Sequence, residues 1–129
     1  MQPDQQLDVF RLLRNMSGHL ENVRDDERVV RFCLRATRDF FQATDACLAQ
    51  LRHGDTQAHI VYEVPRASRW DRALLTSFLR AQRTRVPLDH LVVPLWRRAR
   101  WWGALCLRRE HGTFERGEGR LLQFVADHV

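Results

Sequence analysis

The stretch VVPLWRRARWWGALCLRRE, Val92 to Glu110, holds three of the four tryptophans and five arginines. Two architectures compete for it. One is an open platform on which aromatic rings stack on bases while arginines neutralise phosphates. The other is a β-hairpin whose charges collect at its tip and its end. In the run from Leu91, the side chains of Leu91, Val93 and Leu95 alternate with those of Val92, Pro94 and Trp96. In the partner run, Trp101, Leu105 and Leu107 alternate with Trp102, Ala104 and Cys106. Both faces are largely apolar, the pattern of strands in a sheet covered on both sides. A nucleic-acid platform needs basic groups interleaved with its aromatics, whereas Arg97, Arg98 and Arg100 sit between the two runs. The stretch therefore reads as a structural hairpin, Leu91–Trp96 and Trp101–Arg108. Pro94 cannot donate to a ladder, which points to a bulge or an unpaired edge at that position.

Working outward, Val9, Leu13, Met16, Leu20 and Val23 recur at steps of four, three, four and three, a heptad-like seam on a first helix. Asp25 or Asp26 caps a second helix, whose stripe is Val29, Val30, Cys33, Leu34, Thr37, Phe40 and Phe41. Arg28, Arg31, Arg35 and Arg38 fall on its other side. The period then changes. Asp45–Arg52 and Ala58–Val64 are short β-compatible runs flanking a turn at Gly54-Asp55, and Pro65 ends the second run. Ser68 to Asp71 has the form of a capping box. The helix it opens is expected to align Trp70, Leu74, Phe78 and Ala81, and Pro87 bounds it. After the hairpin, Thr113 lies near the cap of a last helix carrying Leu121, Leu122, Val125 and Val129.

The order is helix, helix, strand, strand, helix, strand, strand, helix. Without βαβ alternation, consecutive strands form antiparallel hairpins, so the fold class is α+β, a central antiparallel β-sheet flanked by helices. Residues 1–129 form a single domain. The last helix has no stop signal, so a domain cut from a longer protein is expected.

Composition narrows the functional classes. An apolar fraction of 44% and a charged fraction of 29% over 129 residues describe an ordinary globular domain with one core. No apolar run approaches the ~20 residues of a membrane span, and the first residues lack the regions of a secretory signal. A cytoplasmic protein away from membranes is expected. All 21 basic residues are arginine. Residues 1–64 carry 8 arginines against 10 acids, and residues 65–129 carry 13 against 6. A basic second half raises nucleic acid as a partner, but a solvated arginine-rich surface explains it equally and is preferred. Cys33, Cys47 and Cys106 form no CxxC, sit in apolar runs, and read as small core hydrophobes. The six histidines are scattered, and no catalytic triad spacing, phosphate-cradling glycine loop or HExxH motif occurs. No metal, cofactor or enzymatic activity of the domain is expected.

The last third, LVVPLWRRARWWGALCLRREHGTFERGEGRLLQFVADHV, resembles the GAF domain family. Val93-Pro94-Leu95 match its penultimate strand, Gly103-Ala104-Leu105 its last strand, and Phe114 the lead into its final helix. The resemblance implies a GAF/PAS-like fold and a regulatory domain of a bacterial signal-transduction protein, such as a sensor histidine kinase of a two-component system. Such a domain binds a small molecule or dimerises, and biases an output domain in the same polypeptide. It places the ligand under the segment Pro65–Asp89, in a small or filled cavity plugged by Trp70, Leu74 and Phe78 and bordered by Tyr62 and His90. It also places a homodimer interface on the first and last helices, at Val9, Leu13, Met16, Leu20, Leu121 and Val125. That segment holds no cysteine, which argues against a bilin attachment site and against the methionine sulfoxide reductases that share the fold. The cyclic-nucleotide signature of the family is absent. The competing classes are a nucleic-acid-binding module using the arginine-rich half and a redox enzyme on the same fold.

Overall fold

The computed structural model describes residues 27–65, 70–81, 85–97 and 100–127. The expected first helix, the caps at Asp25 or Asp26, Ser68, the Arg98-Ala99 connection and Val129 lie outside them. Helix α1 spans Glu27–Phe40 and leads into strands β1, Asp45–Gln50, and β2, His59–Val64. Helix α2, Arg72–Ala81, precedes β3, His90–Arg97, and β4, Arg100–Arg108; helix α3 spans Arg116–Asp127. The described residues thus form an α+β fold of three helices and one four-stranded antiparallel sheet, in the order β2-β1-β4-β3.

The sheet is covered on both faces. On one, Cys33, Leu34 and Phe41 from α1 and its end meet Leu122, Val125 and Ala126 of α3 over Ala46, Val64, Val93, Leu105 and Leu107. On the other, α2 and Trp70 cover Cys47, Ala49, Ala58, Ala104 and Cys106. Strand β4 is interior, but β3, equally apolar on both faces by sequence, is an edge strand, because covering of both faces and not place in the sheet sets that pattern. The edge position accommodates Pro94. Its carbonyl accepts from Gln123 Nε2 at 3.2 Å, outside the sheet. In extended backbone the nitrogen of a residue points to the same side as its carbonyl, so the missing N–H removes no ladder bond.

Helix α1 follows its apolar stripe, with Cys33, Leu34, Thr37 and Phe41 buried. The hydroxyl of Thr37 donates to the Cys33 carbonyl at 2.8 Å, so this buried polar atom is satisfied. The helix ends in a Schellman motif: Ala43 N–H donates to Arg38 O at 2.9 Å and Gln42 N–H to Asp39 O at 3.1 Å. Gln42 takes the left-handed conformation, φ 53°, that glycine usually fills. Helix α3 begins at Arg116, a few residues past Thr113. Glu118 reaches back to accept from Glu115 N–H at 3.1 Å, while the Thr113 carbonyl accepts from Arg109. The Arg109 guanidinium also bonds Phe41 O at 2.6 Å and the Glu118 carboxylate at 2.8 Å, and lies 4.0 Å from the centre of the Phe114 ring. One side chain thus ties the end of α1 to the start of α3.

A Cβ on Gly103 would stand 2.2 Å from the backbone oxygen of Ala49. Relief requires β1 to move, because no side chain there can give. Gly103→Ala is expected to destabilise the fold by about 3 kcal/mol. Gly117 of α3 has open space where a Cβ would lie, so Gly117→Ala should stabilise it by about 0.5 kcal/mol. Urea unfolding midpoints of the two variants, shifted in opposite directions, check both.

Candidate functional site

The layer beneath α2 is built from very small residues on the sheet and large ones on the helix. Cys47, Ala49, Ala104 and Cys106 are each fully buried, and their short side chains let the helix approach closely. Leu75, Phe78 and Leu79 of α2 pack on this floor, with Val86 and Val92 at its margin. Asp71 is the N-cap: its carboxylate accepts from Leu74 N–H at 3.1 Å and its carbonyl from Leu75 N–H at 3.1 Å. Thr76 joins α2 to the segment that leads into β2. Its hydroxyl accepts from Ala58 N–H at 2.8 Å and donates to Arg72 O at 2.6 Å. Arg80 adds a bond to Thr56 O at 3.0 Å.

The expected stripe of Trp70, Leu74, Phe78 and Ala81 is rotated. The helix begins at Arg72, so Trp70 lies before it, and the inward triplet is Leu75, Phe78 and Leu79, at helical spacing. Leu74 is only partly buried and Ala81 is exposed.

Of the residues expected around the site, Trp70, Phe78 and His90 come together. Trp70 is 9% exposed, and its ring meets that of His90 edge to face, with centroids 6.2 Å apart and an interplanar angle of 73°. His90 Nδ1 lies 2.7 Å from Asp89 Oδ1, which orients the imidazole. That hydrogen bond, more than any other contact, holds the Asp89 carboxyl below its ordinary value of 3.8. Trp70 Nε1 is buried and has no hydrogen-bond partner among the described residues. A buried donor left unmatched costs about 1–3 kcal/mol.

Tyr62 is not part of this site. Leu48 pairs with Tyr62 but Ala49 pairs with Ile60, so Val61 is an extra residue in β2. That bulge breaks the alternation. Ile60 packs on the α2 side and Tyr62 on the opposite face, against the α1 and α3 cluster. Asp89, Leu75 and Leu79 were not singled out from the sequence; the adjacency of Asp89 and His90 was the available signal for the first.

The expected interface residues Val9, Leu13, Met16 and Leu20 lie outside the described residues. Leu121 is half-buried. Val125 is fully buried within the chain, packed with Leu122 in the α1 and α3 cluster. It has no surface to offer a partner, because the inward stripe of α3 is consumed by its own sheet.

The cysteines lack the features of activated nucleophiles. Burial raises the titration of Cys33, and raises that of Cys47 further. Among the described residues no group of three or more His, Cys, Asp and Glu side chains could hold a metal ion. Trp70 and His90 set one buried indole N–H and one oriented imidazole at the edge of a packed apolar layer.

The Asp89–His90 contact has a signed consequence for stability. A carboxyl titrating lower in the folded than in the unfolded chain contributes stability that is fully present above 3.8 and lost as pH falls through the lowered folded value. Asp89→Asn should therefore remove a small stabilisation at neutral pH and flatten the acid limb below the ordinary aspartate range. Urea midpoints of both proteins across that limb, converging at the lowest pH, check the sign.

No family model matches the chain, and comparison with curated proteins gives no match.

Proposed function

We propose that the chain is a regulatory domain of the GAF type from a cytoplasmic bacterial signalling protein, such as a sensor histidine kinase. It binds a small molecule beneath α2 and, as a homodimer, biases an output domain in the same polypeptide. The observation that carries the reading is the buried Trp70 Nε1, without a partner among the described residues, beside the oriented His90–Asp89 pair. Ligand sites combine apolar walls with a few convergent polar groups, and this one joins Trp70, Phe78 and Val92 to two polar atoms of that kind. The ligand suited to it carries a carbonyl or carboxylate oxygen for Trp70 Nε1 and a planar group to lie against one of the two rings, which stand at 73° to each other.

The sheet order supports the same reading. The single helix between the two hairpins lies over one face, and the chain's last helix lies with α1 over the other. A shift in α2 reaches α1 and α3 through the sheet itself, since alternate residues of β1 and β4 face the two layers. Among the described residues no helix is long and apolar enough to cross a membrane. The dimer surface is assigned to Val9, Leu13, Met16 and Leu20 with Leu121, because their spacing suits a helix-to-helix seam.

Titration with planar heterocycles bearing a carbonyl or carboxylate tests the site by NMR. At least one should saturably move the indole N–H signal that disappears in Trp70→Phe, with affinity about tenfold weaker in His90→Ala. Compounds that leave this signal unmoved, or bind both variants as tightly as the wild type, would refute the assignment. For the dimer, light scattering should show Leu13→Glu/Met16→Glu as a folded monomer. A wild type that is already monomeric at high micromolar concentration would end the dimer proposal alone.

A further inference from the structure

Cys47 and Cys106 are direct partners across the β1–β4 ladder. Fifty-nine residues apart in sequence, they meet on the α2 face, both fully buried. Directly opposed residues of antiparallel strands have Cα atoms about 4.5–5.5 Å apart. A disulfide spans Cα separations of about 4.4–6.8 Å. The register alone therefore places this pair within bonding range, without a change of pairing. Cys33 cannot join them, since it packs in the cluster on the opposite face.

We propose that Cys47 and Cys106 form an oxidisable dithiol, a modification site that α2 gates and that a hydroperoxide converts into a cross-strand disulfide. The helix controls access because Trp70, Leu75, Phe78 and Leu79 close the same cluster. With α2 seated, both sulfurs are buried and out of reach of water-borne oxidants. When α2 lifts, one thiol loses its proton to water, and its thiolate attacks the peroxide. The O–O bond breaks, an alcohol or water departs, and a sulfenic acid forms. The partner sulfur then attacks the sulfenic sulfur, the S–S bond forms and water leaves. Two thiols and one hydroperoxide give one disulfide, one alcohol and one water; the thiols lose two electrons and the peroxide gains them.

The product suits its surroundings, because a disulfide is neutral where a pair of thiolates would be charged in an apolar layer. Bonding also draws the two Cβ atoms to about 3.8 Å, which narrows the floor on which Leu75 and Phe78 rest. Oxidation at this position thereby alters the seat of α2.

Hydrogen peroxide is the probe. Intact mass and non-reducing peptide mapping of the wild type and of Cys33→Ser should both show loss of two hydrogens and a Cys47–Cys106 linked peptide, reversed by dithiothreitol. Cys47→Ala should give no intramolecular link. Leu75→Ala, which loosens α2, should speed the oxidation about tenfold. If that variant fails to fold, wild type in urea well below its unfolding transition provides the same comparison. The proposal is overturned if the folded protein oxidises only at Cys33 or only between molecules, if it stays reduced, or if the rate follows global unfolding alone.

Discussion

The pairing of β1 with β4 is the contact on which the rest of the structure depends. Each hairpin, β1 with β2 and β3 with β4, joins segments that are close in sequence. Only the β1–β4 ladder joins the hairpins to one another, and it must close a long loop before any contact rewards it. Its closeness is built in: Gly103 stands where any side chain would strike the Ala49 carbonyl. Its end is clamped by the ion pair of Arg108 with Asp45, whose Nε–Oδ2 distance is 2.7 Å and whose carboxylate is almost completely buried. Removing one member would leave a buried charge without its partner, which costs more than the pair gives.

From that ladder both layers follow. Leu105 and Leu107 face α1 and α3, while Ala104 and Cys106 face α2. The two sides differ in character. The α1 and α3 side is large residue against large residue and further tied by Arg109, so it resembles the permanent core of the domain. The α2 side sets large helix residues on a floor of alanine and cysteine, and among the described residues α2 is tied to the segment before β2 by Thr76 to Ala58 and Arg80 to Thr56. The buried Trp70 N–H and the facing thiols both occur on this side.

The exposed edges of the sheet are also managed by side chains from the helices. Arg31 of α1 donates to Glu63 O in β2 at 2.8 Å, and Gln123 of α3 donates to Pro94 O in β3. Both edges are thereby occupied at a backbone acceptor that another strand would need. The same bonds orient α1 and α3 over the face they share.

Much of this was determined by the sequence alone. Two-sided apolar alternation in β3 and β4 required a sheet covered on both faces, the stripe from Val30 to Phe41 required a buried helix face, and Gly54-Asp55 required a turn, because each rests on a local period or a local backbone preference. The α+β class and the order of the elements followed from those periods. What the tertiary structure decided were the quantities that no local period carries. The bulge at Val61 moved Tyr62 to the far face, since one extra residue inverts every side chain beyond it. The rotation of α2 was set by how Leu75, Phe78 and Leu79 fit an alanine and cysteine floor, not by its own stripe. Val125 was claimed by the sheet rather than left for a partner, because burial depends on what lies opposite. And the meeting of Cys47 with Cys106 depended on the register between two hairpins, a relation that exists only once the long loop between them has closed.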